Sequence, residues 1–185
     1  TPEDGNFKVF LQSCPVPDGE LRFVPGEGEE EIFDKEGGIT KLVRRNLRGE
    51  YEVNNILRKE MEAEDLVFED YQNFTIANYE TLLKLLTLTH DNPDKYIVEW
   101  PEGQILKFKG VFKPSDINVQ VVSDIDWFRV QGKVSIGRGA SLSIKELLKS
   151  FREAKESEYI RIGDREYMKM TGTIRHHLRE LDSLT

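Results

Sequence analysis

Cysteine, histidine and long apolar runs are all scarce in this chain. Cys14 is the only cysteine among 185 residues, which excludes an internal disulfide and a cysteine zinc cluster. No apolar run approaches the roughly 20 residues that span a bilayer, and no secretory signal opens the sequence. We therefore expect a cytoplasmic protein with no membrane partner. The chain begins Thr-Pro-Glu without an initiator methionine, which predicts a fragment of a longer protein or a processed product.

Sequence motifs for catalysis are also missing. Gly132-Lys133 has Trp127 rather than glycine five residues before Gly132, so it is not part of a phosphate-binding loop. His176 and His177 are adjacent, about 100° apart around a helix, and cannot chelate one metal as an i, i+4 pair could. We predict no enzyme, no cofactor, and no catalytic or metal-binding residue in this chain. A hydrolase stays open as an alternative, since a triad or a carboxylate pair assembles in space.

Charge is distributed unevenly along the chain. Residues 1–125 carry 14 basic and 25 acidic residues, a net charge of −11, whereas residues 126–185 carry 12 and 9, a net charge of +3. Nucleic-acid binding needs a basic field, because phosphate contacts dominate the affinity. The net negative charge of residues 1–125 argues against a protein that wraps DNA. A local basic patch within residues 126–185 stays open. The glutamates of GEGEEE, residues 26–31, are interpreted as a solvated loop rather than a metal site, because they lack the spacing of a calcium loop.

Apolar periodicity predicts short strands and two helices in the first half. FKVFLQ, ELRFVP and GITKLVRR have the composition of strands. Residues 50–64 form an amphipathic helix, with Val53, Ile56, Leu57 and Met61 on one face. A second helix covers about residues 77–89, is apolar around much of its circumference, and ends before Pro93.

The second half is predicted to contain more strands, then a helix, a hairpin and a last helix. Tyr96, Val98 and Trp100 share one face of a strand, and residues 106–112, 117–122 and 127–136 supply further strands. Ser143 and Glu146 have the spacing of a helix capping box. YIRIGDREYMKM is predicted to be a hairpin that turns at Gly163-Asp164, and the final helix begins near Thr173.

These elements predict an α+β fold with antiparallel or mixed sheets and about four helices packed against them. Most connections between strands are too short for parallel crossovers. KPSD, residues 113–116, is the best candidate for a boundary, giving an N-terminal α/β subdomain at 1–112 and a C-terminal α+β subdomain at 113–185. A connection of four residues is equally normal within one domain, so a single continuous domain stays open.

Trp127 and Phe128 are aromatic neighbours that a strand would point to opposite faces. Phe128 falls on the apolar face with Val130 and Val134. Trp127 falls on a polar, basic face with Arg129 and Lys133. Three interpretations are open: Trp127 packs beneath an element of this chain, docks another domain or protein, or stacks on a base.

Residues 117–170 resemble the helicase-associated region of bacterial SWI/SNF-type ATPases, the SNF-two class. The matching features are Asp126-Trp127-Phe128, the helix at Leu142–Leu148 and the hairpin that begins at Tyr159–Ile162; VEWP at 98–101 is also similar. The resemblance covers about residues 96–184. The family hairpin turns on Asp-Gly, whereas this chain has Gly163-Asp164-Arg165.

The resemblance implies a non-catalytic accessory domain N-terminal to a two-lobed ATPase motor, which it would position or regulate. Its partner would be the ATPase core of the same polypeptide, and the full-length protein would act on DNA or a nucleoprotein complex. The alternative hypothesis is an independent protein- or nucleic-acid-binding module that uses a face formed by Trp127, Arg129, Lys133 and Arg138.

Overall fold

The computed structural model describes residues 6–16, 19–36, 38–62, 66–103, 105–124, 127–136 and 141–184. The side chains of residues 36, 67, 119–124 and 127–131 lie outside this description. The chain divides into two compact units, Thr1–Leu85 and Leu86–Thr185. The helices together with antiparallel and mixed sheets confirm the α+β class. None of the described helices is both long and apolar enough to cross a bilayer.

The first unit contains two small sheets and helical segments. In chain order its elements are β1 (Phe7–Phe10), β2 (Glu31–Glu36), β3 (Ile39–Arg44), α1 (Leu47–Met61), β4 (Leu66–Phe68), β5 (Asn73–Ile76) and the first part of α2 (Tyr79–Asp91). One antiparallel sheet has the order β1-β5-β4, and β2 and β3 form a separate two-stranded ribbon. Phe74 and Ile76 of β5 are buried together with Leu82 of α2.

A buried arginine organises the loop before β2. Arg45 donates hydrogen bonds to the carbonyl oxygens of Val24 (3.2 Å), Glu27 (2.8 Å) and Glu29 (3.3 Å), and both carboxylate oxygens of Glu50 accept from its guanidinium. The guanidinium also lies 4.3 Å from the centre of the Phe23 ring. Because the planar guanidinium has five donors, this one side chain fixes loop carbonyls that a small core would leave unsatisfied.

The ribbon of β2 and β3 exposes apolar side chains. Phe33 and Leu42 are directly opposite in the register and are 69% and 55% exposed. The Glu31–Arg44 ion pair, 2.5 Å between Oε1 and Nη2, lies at the next pair on the same face. Two strands alone bury little apolar surface, so the ribbon gains little stability from its own packing.

The second unit has one contiguous apolar core. Its remaining elements are β6 (Lys107–Val111), a 3-10 turn (Pro114–Asp116), β7 (Ile117–Asp124), β8 (Trp127–Ser135), β9 (Ser141–Ser143), α3 (Ile144–Ala154), β10 (Tyr159–Gly163), β11 (Glu166–Lys169) and α4 (Gly172–Ser183). One sheet has the order β10-β11-β6, with β11 and β6 parallel, and the other is antiparallel in the order β7-β8-β9. Helix α3 packs against both sheets and α4. Its stripe Ile144, Leu147, Leu148 and Phe151 is buried as the sequence predicts.

The predicted apolar face of α1 is partly wrong. Leu57 and Met61 are buried, but Ile56 is 46% exposed and Asn54 is buried in its place. The helix also begins earlier than predicted, at Leu47, because the Asn46 side chain accepts a hydrogen bond from Gly49 N–H at 2.9 Å and caps it. The earlier start does not change which side chains share a face of the helix. The buried face includes Asn54, which the apolar pattern of the sequence does not place there.

The predicted boundary at residues 113–116 lies inside the second unit. Phe112 is 1% exposed and packs in the same core as Val134 and Ile160. Its backbone N–H donates to the carbonyl of Lys169 at 2.9 Å. Residues before and after this segment pack in the same core, so the second unit does not divide at residues 113–116.

Two predicted strands are absent among the described residues, and one hairpin was missed. ELRFVP contributes only an isolated bridge between Ser13 and Phe23, and residues 96–100 belong to no strand. The hairpin of β4 and β5 turns through Asp70, whose carboxylate accepts from the backbone N–H groups of Gln72 and Asn73. The Asn73 side chain and these N–H groups hold the pKa of Asp70 below its usual range.

Candidate functional site

The second unit has an open groove of about 930 Å³. It is lined by Leu86, Thr89 and His90 of α2, by Pro93, Tyr96, Val98, Trp100, Ile105 and Leu106 of the connection after α2, by Lys107, Phe108 and Lys109 of β6, and by Ile136. Its volume is at the upper end of the range for small-ligand sites, and the lining is mainly apolar and aromatic. Below, "the groove" refers to this set.

The end of α2 and the chain that follows form one wall. Pro93 cannot continue the helix, and the Asn92 side chain donates to the carbonyl of Leu88 at 2.9 Å. The backbone N–H groups of Lys95 and Tyr96 then donate to the carbonyl of Asn92, at 3.0 and 3.1 Å. These local hydrogen bonds direct the chain from the helix end into the groove wall.

Tyr96, Val98 and Trp100 all line the groove, at every second position of the chain. This spacing is typical of an extended segment that presents one side to the groove. The sequence analysis placed these three residues on one face of a strand; the structure has no strand at residues 96–100, although all three residues line the groove. Ile97 lies between them and is 67% exposed, so the segment carries apolar side chains on both of its faces.

The opposite wall is β6, which is fixed by the β10–β11 hairpin. Lys107 and Phe108 pair in parallel with Glu166 and Tyr167. The backbone N–H of Lys107 donates to the carbonyl of Arg165 at 2.8 Å, and the Arg165 guanidinium donates to the carbonyl of Gly103. Gly103 and Lys107 are thereby hydrogen-bonded to the hairpin, which holds this wall in place.

Aromatic contacts hold Phe108 in place. The His90 ring packs edge-on against Phe108 with 5.1 Å between centroids, and Tyr159 packs on Phe108 at 6.2 Å. The Tyr159 hydroxyl is also hydrogen-bonded to the Thr87 hydroxyl at 3.0 Å. Edge-to-face pairs of this kind contribute about 0.5–1.5 kcal/mol each beyond burial, which favours a fixed position for the Phe108 ring.

The charged groups among the lining residues are basic. Lys107 and Lys109 both reach one carboxylate oxygen of Glu166, with N–O distances of 3.9 and 3.1 Å. One carboxylate therefore serves two ammonium groups. None of the lining residues is Asp or Glu; the acidic residues of the same stretch, Asp91, Asp94, Glu99 and Glu102, are outside the lining.

The groove is also bordered by exposed apolar side chains. Ile105 is 50% exposed and Val98 is 43% exposed, whereas Leu86 and Leu106 at the base are buried. A contiguous apolar surface of this kind, next to charged residues, marks interaction sites in soluble proteins. Its chemistry suits the binding of an apolar segment, since most of the lining residues are apolar or aromatic.

Of the four predicted contact residues, Lys133 is the one whose side chain the structure describes. Lys133 is exposed on β8, where its backbone is opposite Asn118 and Ser143. Trp127 and Arg129 lie in β8 by their backbone, opposite Asp124 and Val122, but their side chains are outside the described set. Arg138 lies outside the described residues altogether. The predicted strand is confirmed, and the contact face remains a prediction.

Ionisable groups elsewhere have structural explanations. Within the described part of the chain, no cluster of three or more His, Cys, Asp or Glu could hold a metal ion. His176 and His177 are exposed, and His176 Nε2 lies 3.3 Å from Glu180 Oε1. The Ser143 hydroxyl and backbone N–H lower the pKa of Glu146, and this pair forms the predicted capping box.

The groove was not predicted from the sequence. The available signal was the run at residues 96–100, which is apolar on both faces although it is followed by Pro101 and Gly103. Comparison of the chain with protein-family models, curated proteins and solved structures gives no match.

Proposed function

We propose that this chain is a non-catalytic accessory module of a bacterial SWI/SNF-type ATPase, and that its second unit docks a protein partner in the groove. The preferred partner is the ATPase motor of the same polypeptide. The identity of the motor depends on the resemblance at residues 96–184, which includes Asp126-Trp127-Phe128 and the α3 helix. The docking role depends on the groove itself.

The observation that supports docking is the exposed apolar border of a preorganised groove. Val98 and Ile105 are 43% and 50% exposed, and each would gain from burial against a partner. Complete burial of one such side chain contributes about 1.5–3 kcal/mol relative to full exposure. A few of these residues would dominate the affinity, as anchors do in other interfaces.

A matched pair of substitutions tests this role. Val98→Asn removes an apolar side chain from the groove, whereas Val111→Asn changes a valine of similar exposure, 37%, that does not line it. The binding partner is the purified motor encoded by the same gene, and affinity is measured by calorimetry. We expect Val98→Asn to weaken binding about 10-fold, the equivalent of losing one buried valine, and Val111→Asn to change it little.

Three results would contradict the proposal. One is a gene that encodes no ATPase motor with this chain. Another is equal binding by the two variants, which would move docking away from the groove. The third is hydrolysis of ATP by this chain alone at a rate typical of an enzyme.

A further inference from the structure

We infer that the groove selects an acidic partner segment: a short peptide with apolar side chains at its centre and carboxylates beside them. The inference rests on the proposed function in that it uses the same groove. It goes further by assigning the chemistry of the segment that occupies it.

The apolar part of this assignment follows from the base and the extended wall. Leu86 and Leu106 are buried at the base, and Val98 and Trp100 present side chains from the wall. Val98 and Trp100 are two residues apart in the chain and line the same groove. Side chains of a peptide that enter this space would contact the base and the wall at once.

The preference for carboxylates in the partner segment follows from the way Lys107 and Lys109 share the carboxylate of Glu166. Lys107 Nζ and Lys109 Nζ lie 3.9 and 3.1 Å from the same Oε1 atom, and Lys107 is the more exposed, at 55% of its side chain. His90 lies at the same groove with Asp91 3.4 Å away. A partner carboxylate would supply the second negative charge for the lysine pair, whereas a partner lysine would be repelled.

A nucleic acid is a less suitable occupant on the same evidence. Stacking of bases needs aromatic faces that are accessible along a basic track. Here the Phe108 ring is already engaged in T-shaped contacts with His90 and Tyr159, at centroid distances of 5.1 and 6.2 Å. The lining also contributes only two lysines, and Glu166 neutralises part of their charge. Such a site gives a weak phosphate field.

The test uses the full chain with Trp127→Phe, which leaves Trp100 as its only tryptophan. Three blocked peptides are titrated: an apolar centre of leucine and phenylalanine flanked by glutamates, the same centre flanked by lysines, and a serine centre flanked by glutamates. Trp100 fluorescence reports binding, and calorimetry on the unsubstituted chain checks it. We expect the glutamate-flanked apolar peptide to bind at least about 10-fold more tightly than either control.

Charge reversal then locates the selectivity. Lys107→Glu combined with Lys109→Glu is expected to reverse the preference between the glutamate- and lysine-flanked peptides. Lys145→Glu changes an exposed lysine of α3 that does not line the groove, and we expect the preference to be retained. Since both lysines are exposed at the surface, circular dichroism should show an unchanged fold.

Several results would overturn this inference. They are equal affinity for the two charged forms, binding by none of the peptides, or tight binding of an oligothymidylate in place of them. Docking of the motor with the expected loss in Val98→Asn, but without peptide selectivity, would reject the acidic segment alone. Loss of motor docking in the Val111→Asn control as well would instead reject the proposed function.

Discussion

The two units are stabilised in different ways. The first uses a buried guanidinium to connect loop carbonyls and a carboxylate, and residues 1–85 carry 10 basic and 19 acidic residues, a net charge of −9. The second has a contiguous apolar core that includes Phe112, Leu147 and Leu178, and residues 86–185 carry 16 basic and 15 acidic residues. The unit with the larger apolar core also has apolar side chains beyond it, at the groove. The unit with the smaller core depends on polar contacts.

Removal of the buried arginine is expected to have the largest effect on the stability of either unit. Arg45→Met takes away the donors of three loop carbonyls and leaves the Glu50 carboxylate, 14% exposed, without its ion pair. We expect a loss of about 3–5 kcal/mol in the unfolding free energy of the first unit. Urea denaturation with hydrogen exchange at amides of both units measures the loss and assigns it to a unit.

Arg44→Met is the matched control, because the Arg44 side chain is 74% exposed and its ion pair with Glu31 is at the surface. That change should cost under about 1 kcal/mol. Equal losses from both arginines would mean that the buried contacts contribute no more than the surface pair, and the comparison between the units would fail.

Acid should affect the first unit through the same contacts. Burial raises the pKa of Glu50, but hydrogen bonds from Arg45, Gly26 and Ser13 outweigh it, so that pKa lies below its ordinary value of 4.5. A lowered folded pKa stabilises the unit above about pH 4.5, and this stabilisation is lost as pH falls through the folded value. Unfolding measured between neutral and acidic pH should show a larger loss in the chain than in Glu50→Gln, where the lowered pKa of Asp70 still contributes. Parallel curves would argue against the linkage.

A smaller effect is expected at the start of α3 in the second unit. Ser143 Oγ accepts from Glu146 N–H at 3.2 Å, and Ser143 N–H donates to the Glu146 carboxylate at 3.0 Å. Ser143→Ala should lower the unfolding free energy by about 1 kcal/mol. Ser141→Ala, also exposed but two residues before the helix cap, should change it by less than half as much in the same denaturation assay. The reverse order would contradict the capping role.

An effect of similar size but opposite sign, a gain in stability, is predicted within the first unit. Both polar atoms of the Asn54 side chain are buried and make no hydrogen bond in the described structure. Asn54→Leu keeps a similar volume and removes this desolvation cost, so we expect a gain of about 1 kcal/mol. A loss measured in denaturant would show that Asn54 is satisfied in solution, for example by water.

Local sequence signals predicted local structure well and packing less well. Ser143 and Glu146 identify the start of α3, since the capping box depends on two residues three positions apart. The exposure of Ile56 and the burial of Asn54 depend instead on what packs against α1, which periodicity does not contain. The run at Tyr96–Trp100 has the composition of a strand, but a strand also requires a neighbour in register. The groove was missed for the same reason, because it is assembled from α2, β6 and the chain between them.

The open ribbon of β2 and β3 also bears on how this protein behaves at high concentration. A pair of strands without further neighbours among the described residues has outer edges that could template association with another chain. The opposed Phe33 and Leu42 side chains would favour such stacking, and the adjacent Lys35 and Glu31 would oppose it. Neutralising these charges should therefore increase aggregation without altering the folded state. The role of the two charged side chains would then be to keep the protein in solution.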